Sequence, residues 1–317
     1  MNLVYLGSGE FGVPCLDALK ASAHTLALIV TQPSNPAGRG RKPQPTPVAQ
    51  WATVHAVPFA ETDNVNSPEM IARIADYRPD VLVVIAFGQK IGPELVKLAA
   101  KGAINVHASL LPKYRGAAPI NWAILRGETR TGNSIITLAE KIDAGDIVAQ
   151  SETTIGPLET AGELHDRLAQ LAAPLLLDTL DKIDAGTATY TKQDSAQVTY
   201  APKLHKVDGL LDFAESAESL ALKIRGFWPW PGTAAGFVSQ QTQKTARVVI
   251  ALAEVVSATG KAPLPPGTFD DDLNVVCGTG RLRILKLKPA GSGLMDFKAF
   301  VNGWRVRPGD RLVKIEE

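Results

Sequence analysis

The run Val81-Leu82-Val83-Val84-Ile85-Ala86-Phe87 is the longest uninterrupted apolar stretch in the chain. It shows no alternation of apolar and polar residues. A strand made from it must therefore be buried on both faces, as central strands of parallel sheets are. Such a sheet needs a helix layer on each side, and the flanking chain supplies the pieces. Apolar runs at 2–6, 25–30, 103–107 and 133–138 read as further strands, and 13–20, 67–77 and 117–125 have helical character. Ser67-Pro68-Glu69 marks a helix start: an N-cap serine, then a proline where its missing N–H costs nothing. This alternation predicts an α/β domain, a Rossmann-like and mostly parallel sheet with helices on both faces.

Further on, Thr160-Ala161-Gly162-Glu163 has the form of a capping box, and Leu164, Leu168, Leu171 and Leu175 make one helical stripe behind it. Pro174 is expected to kink or split that helix. Residues 185–203 are polar and weakly periodic and read as a linker. Beyond them comes a helix candidate (216–225), then strand-like segments at 246–251, 273–277 and 281–287 separated by Gly/Pro turns. That pattern predicts a small C-terminal β-barrel, OB-like. The expected organisation is an α/β domain over 1–189, a linker over 190–204 and a barrel over 205–317.

Composition narrows the function classes. At 45% hydrophobic and 21% charged residues the chain is an ordinary globular sequence. No apolar run approaches the ~20 residues of a membrane span, and the first residues lack a signal peptide's basic start. The two cysteines, Cys15 and Cys277, lie far apart. They form neither a disulfide framework nor a Cys-based zinc site, and they fit a reducing, cytoplasmic location as small buried hydrophobes. Net charge is +1, but no acid occurs between Asp17 and Glu61 or between Glu94 and Glu128. These windows hold Lys20, Arg39, Arg41 and Lys42, and Lys97, Lys101, Lys113, Arg115 and Arg126. They point to one local surface built to meet anions.

Four motifs bear on chemistry. Gly7-Ser8-Gly9-Glu10-Phe11-Gly12 matches the dinucleotide fingerprint, but no acid closes the second strand, which ends Val30-Thr31-Gln32. A tight strand-to-helix turn is the better reading, and no nicotinamide cofactor is expected. The stretch Pro33-Ser34-Asn35-Pro36-Ala37-Gly38-Arg39-Gly40-Arg41-Lys42-Pro43 should lack regular structure. It is either a solvated loop or a phosphate-tracking finger for nucleic acid. Asn105 and His107 lie at i and i+2 near a strand end, so both side chains leave on one face. An amide donor beside an imidazole holds a developing oxyanion and shuttles a proton. Asp143-Ala144-Gly145-Asp146 is either turn chemistry or an acid facing His107 that fixes its tautomer. The other histidines have no metal-ligand spacing.

The segment Asn105-Val106-His107-Ala108-Ser109-Leu110-Leu111-Pro112-Lys113-Tyr114-Arg115-Gly116-Ala117-Ala118-Pro119-Ile120, with Asp143-Ala144-Gly145-Asp146 downstream, resembles the formyltransferase family that uses 10-formyltetrahydrofolate. The basic loop 36–42, Phe227-Trp228-Pro229-Trp230-Pro231-Gly232 and Val306-Arg307-Pro308-Gly309-Asp310 are similar to the branch acting on methionyl initiator tRNA. The resemblance implies a catalytic trio of Asn105, His107 and Asp143, with Asn105 and His107 both donating to the oxyanion. It implies a folate site at Phe87, Gly88, Gln89, Ser109, Leu110, Leu111 and Pro112. It further implies acceptor-stem contact by Arg39, Arg41 and Lys42, no metal and a tRNA-binding barrel; separately, a monomer is expected. Gly9, Asn133-Ser134 and Lys90-Ile91-Gly92-Pro93 depart from the usual family pattern. The competing readings are a nicotinamide-dependent oxidoreductase, a non-catalytic RNA-binding module and a formyltransferase for a small amine.

The barrel segment carries 15 Lys+Arg against 12 Asp+Glu over 205–317, so only clustering gives it a basic surface. Arg281, Arg283, Lys286 and Lys288 crowd one strand. Alternation sends the first two and the last two to opposite faces unless a bulge intervenes near Ile284.

Overall fold

In the computed structural model, which describes residues 1–37, 42–257 and 264–316, the elements follow in this order. They are β1 (Asn2–Gly7), α1 (Val13–Ala21), β2 (Thr25–Thr31), β3 (Asn35–Ala37), β4 (Lys42–Gln44), α2 (Pro47–Val54), β5 (Phe59–Glu61) and α3 (Pro68–Asp76). Then come β6 (Val81–Ile85), α4 (Pro93–Lys97), β7 (Ala103–His107), β8 (Arg115–Gly116), α5 (Pro119–Leu125), β9 (Arg130–Thr137), β10 (Ile147–Thr154) and α6 (Ala161–Asp184). The rest is β11 (Tyr200–Ala201), α7 (Ala217–Phe227), β12 (Thr233–Val238), β13 (Thr245–Val256), β14 (Val275–Val276), β15 (Arg281–Pro289), β16 (Met295–Asp296), α8 (Phe297–Trp304) and β17 (Arg311–Val313).

The first sheet has seven strands in the order β10-β9-β7-β6-β1-β2-β5. β1 pairs in parallel with β2 and β6, as do β2 with β5 and β6 with β7, while β9 runs antiparallel to β7. All five residues of β6 are buried. Val4, Leu6, Leu28, Val30, Leu82 and Val84 meet Met70, Ile74 and Leu95 from α3 and α4 in one core layer. The odd-numbered Leu3, Tyr5, Ile29, Val83 and Ile85 are fully buried too. Each such aliphatic contributes roughly 1.5–3 kcal/mol. The chain lays strands outward from β1 through β2 to β5, then returns to place β6 on the other side of β1. That reversal opens a crevice at the carboxyl ends of β1 and β6.

Local signals match the elements they mark. The Ser67 hydroxyl accepts from the Met70 N–H at 3.2 Å, capping α3. Thr160 and Glu163 exchange both capping-box bonds. Two expectations are corrected. Pro174 lies inside α6 and does not split it, since α6 stays one helix of 24 residues; losing one backbone bond does not break a helix held by the turns on either side. The proline-rich segment is regular at its flanks, where β3 and β4 form an antiparallel ribbon. Pro36 stands opposite Pro43, and a facing pair outside the ladder bonds needs no N–H.

The chain divides into two compact units: Met1–Gly116, Thr131–Thr153 and His165–Tyr200 form one, and Ala117–Arg130, Thr154–Leu164 and Ala201–Glu317 the other. These units are not contiguous in sequence. α5 belongs to the second unit, where it packs on α7, because its apolar face has a partner there. The second unit is built on an antiparallel sheet, β14-β15-β13-β12-β17, with β16 on β15. Bridges from Thr268 to Arg311 and from Phe269 to Val275 join its two end strands and curve it into a barrel. Phe237, Phe269 and Phe300 fill it, beneath α7 and α8. Cys15 and Cys277 are both buried, and burial pushes each thiol up to about 12.

A bulge in this barrel decides the charge question. In the β13–β15 ladder Leu252 pairs with Lys286 but Ala253 pairs with Ile284, leaving Leu285 extra. The strand therefore changes parity at Leu285, and Arg283, Lys286 and Lys288 are all exposed, as is Arg247 on β13. Arg281 is instead mostly buried in an ion pair with Asp270.

The glycine fingerprint serves packing. A Cβ on Gly12 would lie 1.8 Å from the Tyr5 Oη, and one on Gly7 2.5 Å from the Ile85 carbonyl oxygen. Tyr5 is fully buried, so its ring cannot swing away. Gly12→Ala should therefore cost about 1–3 kcal/mol in chemical denaturation, and adding Tyr5→Phe, which deletes the clashing oxygen, should recover a measurable part in a double-mutant cycle.

Candidate active site

The site is built at the carboxyl end of β7. Asn105 pairs with Val84 on one side and Ile136 on the other, and His107 pairs with Ser134. Alternation puts both side chains on one sheet face. The His107 ring is almost wholly buried and has an acceptor at each nitrogen. Nε2 donates to the Tyr114 carbonyl at 2.9 Å, and Nδ1 faces the Asp143 carboxylate at 3.6 Å. Nε2 is thus protonated, since a carbonyl oxygen only accepts. The same Asp143 Oδ2 accepts the Gly116 N–H at 2.8 Å. Among the described residues no hydrogen bond engages the Asn105 carboxamide. Asn105 therefore has its donors free, whereas the protonated Nε2 of His107 is already committed. In the resting ring that N–H is spent on the Tyr114 carbonyl.

Asp143 comes from the turn between β9 and β10, and its backbone is left-handed at φ +55°. Gly145 lets that turn close, since a Cβ there would lie 1.7 Å from the Thr137 carbonyl oxygen. Thr137 holds the turn by accepting the Asp146 N–H at 2.9 Å.

The expected folate residues fall in two segments. After β7, Ser109 and Leu111 point inward and Leu110 and Pro112 are half-buried. The Ser109 hydroxyl donates to the Lys113 carbonyl at 2.7 Å. Ser134 on β9 pins the segment, donating to the Ser109 carbonyl at 2.6 Å and accepting from the Leu111 N–H at 3.0 Å. Gln150 on β10 reaches the Leu111 carbonyl at 3.0 Å and Ser134 at 2.7 Å. The departure Asn133-Ser134 thus keeps a hydroxyl where the segment needs one, and Asn133 ties β9 to the Leu168 carbonyl of α6 at 2.9 Å. After β6, Phe87 is buried and Gly88 is left-handed at φ +79°. The Gln89 amide is spent on the neighbouring loop, accepting from the Val65 N–H at 2.8 Å and donating to the Thr62 carbonyl at 2.8 Å. Asn66 clamps the other end through Lys90 and Gly92. This segment therefore presents backbone to the crevice, with its side chains used elsewhere.

Of the residues expected to meet tRNA, Arg39 and Arg41 lie outside the described residues, and Lys42 opens β4. Three cations of the second acid-free window have partners within the protein. Lys101 pairs with Asp184 at 2.8 Å, Arg115 binds Gln193 at 2.7 Å, and Arg126 stacks over Trp122.

Sequence reasoning missed Tyr114, Ser134, Gln150, Gln193 and Thr199. Tyr114 and Ser134 act through a backbone carbonyl and a small hydroxyl, which leave no pattern. Gln193 and Thr199 sit in the stretch read as linker.

An amide with free donors, an imidazole and a largely buried carboxylate thus stand at the carboxyl edge of a mostly parallel sheet on an α/β scaffold, groups suited to acid–base chemistry. Residues 1–180 match the family model for formyl transferase, and 203–305 that for the formyl transferase C-terminal domain. The methionyl-tRNA formyltransferase of Geobacter metallireducens is 39% identical over 312 residues, covering 98% of this chain and 98% of its own. That of Moorella thermoacetica is 37% identical over 312 residues, covering 98% and 99%. Among solved structures, the N-formyltransferase from Helicobacter canadensis, in complex with folinic acid and dTDP-3-aminofucose, shares the fold. It has a TM-score of 0.62 at 15% identity, covering 88% of this chain and 97% of that one. The chain belongs to the formyl transferase family.

Ser134→Ala strands the Leu111 N–H and the Ser109 carbonyl in a buried place. Equilibrium denaturation should show a loss of about 1–3 kcal/mol, and Ser134→Thr, which keeps the hydroxyl, should stay close to the parent.

Proposed function

We propose that this chain transfers the formyl group of 10-formyltetrahydrofolate to the α-amino group of methionyl initiator tRNA, giving formylmethionyl-tRNA. The observation that carries this reading is the free Asn105 carboxamide beside His107, with Asp143 at 3.6 Å from the ring. The formyl donor is a co-substrate that supplies the carbon. The half-buried Leu110 and Pro112 and the backbone at 87–89 suit a flat heterocycle with polar edges. Likeness to methionyl-tRNA formyltransferases over 98% of the chain supports the acceptor.

In the reaction the amine nitrogen bonds to the formyl carbon, and the bond from that carbon to N10 breaks. One proton passes from the amine to N10. Negative charge gathers on the formyl oxygen in between. Asn105 donates to that oxygen, and removing such a donor typically costs ~3–4 kcal/mol. His107 and Asp143 stand beside it as a proton-handling pair, and His107 becomes a second donor to the oxyanion when its ring turns from the Tyr114 carbonyl. The ester of the aminoacyl group lowers the basicity of the amine, so that it is a nucleophile near neutral pH.

The exposed Arg247, Arg283, Lys286 and Lys288 on one barrel face, together with Arg39, Arg41 and Lys42, are proposed to follow the tRNA backbone. The working partition is a catalytic domain over 1–189, a linker over 190–204 and a tRNA-binding barrel over 205–317. We place the chain in the cytoplasm as a monomer, where its product meets the translation machinery. A small-amine formyltransferase would need no such barrel face, and its activity would ignore the tRNA body.

The deciding assay supplies 10-formyltetrahydrofolate and methionyl initiator tRNA and looks for formylmethionine. Asn105→Ala and His107→Ala should each lower kcat by about 10²–10³; near-normal turnover in both sinks the assignment. Arg39→Ala and Arg41→Ala should weaken tRNA binding and reduce its salt slope by about 1 each, with the KM for the formyl donor unchanged.

A further inference from the structure

Both acceptors of the His107 ring sit on non-glycine residues in left-handed backbone: Asp143 at φ +55° and Tyr114 at φ +63°. Such conformations persist only where surrounding structure over-determines them. The same short segment, 191–199, secures both. The Gln193 amide donates to the Asp143 carbonyl at 2.8 Å and the Gly145 carbonyl at 2.7 Å, gripping the turn that carries the carboxylate. Its carbonyl oxygen accepts from Arg115 Nε at 3.1 Å and Nη2 at 2.7 Å. Both amide hydrogens and both lone pairs of Gln193 are thereby used. The Thr199 hydroxyl accepts the Tyr114 N–H at 2.9 Å, gripping the peptide beside the carbonyl that receives Nε2. Thr199 also accepts the Arg115 N–H at its own carbonyl at 2.9 Å. Thr191 anchors the segment to β10 by exchanging two bonds of 2.8 Å with Ile147. The polar composition of this segment reads as a linker, yet its bonds converge on one ring.

We infer that residues 191–199 form a strap that positions His107, with Gln193 holding the carboxylate side and Thr199 the carbonyl side. This deepens the proposed function and rests on His107 acting in it. Neither Gln193 nor Thr199 touches a reacting atom, so both are positioning residues. The charged groups on the strap side of the ring are Asp143 and, behind Gln193, Arg115.

The test uses the full-length protein. Gln193→Glu is isosteric and keeps the Arg115 partnership, but it turns an acceptor toward two carbonyls. Thr199→Val removes the hydroxyl at constant volume, and Thr199→Ser restores it. Gln193→Glu and Thr199→Val should each lower kcat about tenfold or more, with KM for both substrates held within about threefold. Thr199→Ser should stay within about twofold of the parent. Each lowered kcat should come with a displaced His107 titration in ring-nitrogen NMR and a displaced pH–rate profile, at a parental Tm. Parental kcat together with an unmoved His107 titration in both variants overturns the strap, as does a kcat loss that tracks a fall in Tm alone. The NMR readout needs no turnover. Normal activity in His107→Ala therefore overturns the catalytic reading, while a displaced ring titration in Thr199→Val, which adds no charge, still supports the strap.

Discussion

An imidazole taken out of water at a strand end must find a partner for each nitrogen, and the architecture of the site follows from how that need is met. His107 ends β7, so its ring leaves the sheet at the edge where the crevice opens. Satisfying Nε2 requires the chain after β7 to double back until the Tyr114 carbonyl arrives. Placing a carboxylate opposite Nδ1 requires the β9–β10 turn to bring in Asp143, 3.6 Å away. Both requirements force non-glycine residues into left-handed backbone. That local strain is offset by bonds from elsewhere in the same unit. The cost of burying a polar group unpaired is thus what shapes two loops and recruits a third segment.

The crevice itself follows from topology. Strands run from β1 toward β5, then the chain restarts at β6, and parallel pairing aligns the carboxyl ends of β1, β2, β5, β6 and β7 on one rim. What occupies the start of that rim separates this chain from dinucleotide-binding relatives of the fold. Ser8 receives the Gln32 N–H at 3.0 Å and the Thr31 hydroxyl at 3.2 Å, so the end of β2 is tied to the glycine turn. The glycines clear space for the Tyr5 ring, with no need of a cofactor to explain them.

Much of the scaffold is legible from local chemistry. Burial of 81–85 on both faces, the caps at Ser67 and Ser216, and the capping box at Thr160 each involve residues within four positions of one another. The pairing of Asn105 with His107 is legible for the same reason, since period two is a local rule. What escapes the sequence is non-local or backbone-mediated. Nothing near Asp143 announces that its turn folds against β7, because that depends on the antiparallel placement of β9. Tyr114 contributes a carbonyl, which every residue owns. The ribbon around Pro36 and Pro43 accommodates both prolines because they face one another, a relation invisible until the register is known. Residues 191–199 look like linker because their side chains bond to loops and not to a core.

The single extra residue in β15 has a consequence for how this barrel tolerates change. Upstream of Leu285 the odd-numbered positions look outward, and downstream the even-numbered ones do. The residue works as a phase shifter, letting one strand present cations along its whole length while leucines on either side still meet the core. Without Leu285 the strand would alternate unbroken, with Lys286 and Lys288 still outward and Leu287 still inward, whereas a further single-residue insertion or deletion would swap inside for outside over the remainder of the strand. The drift of this surface during evolution should therefore tolerate the loss of that one residue and resist any further change in the length of β15.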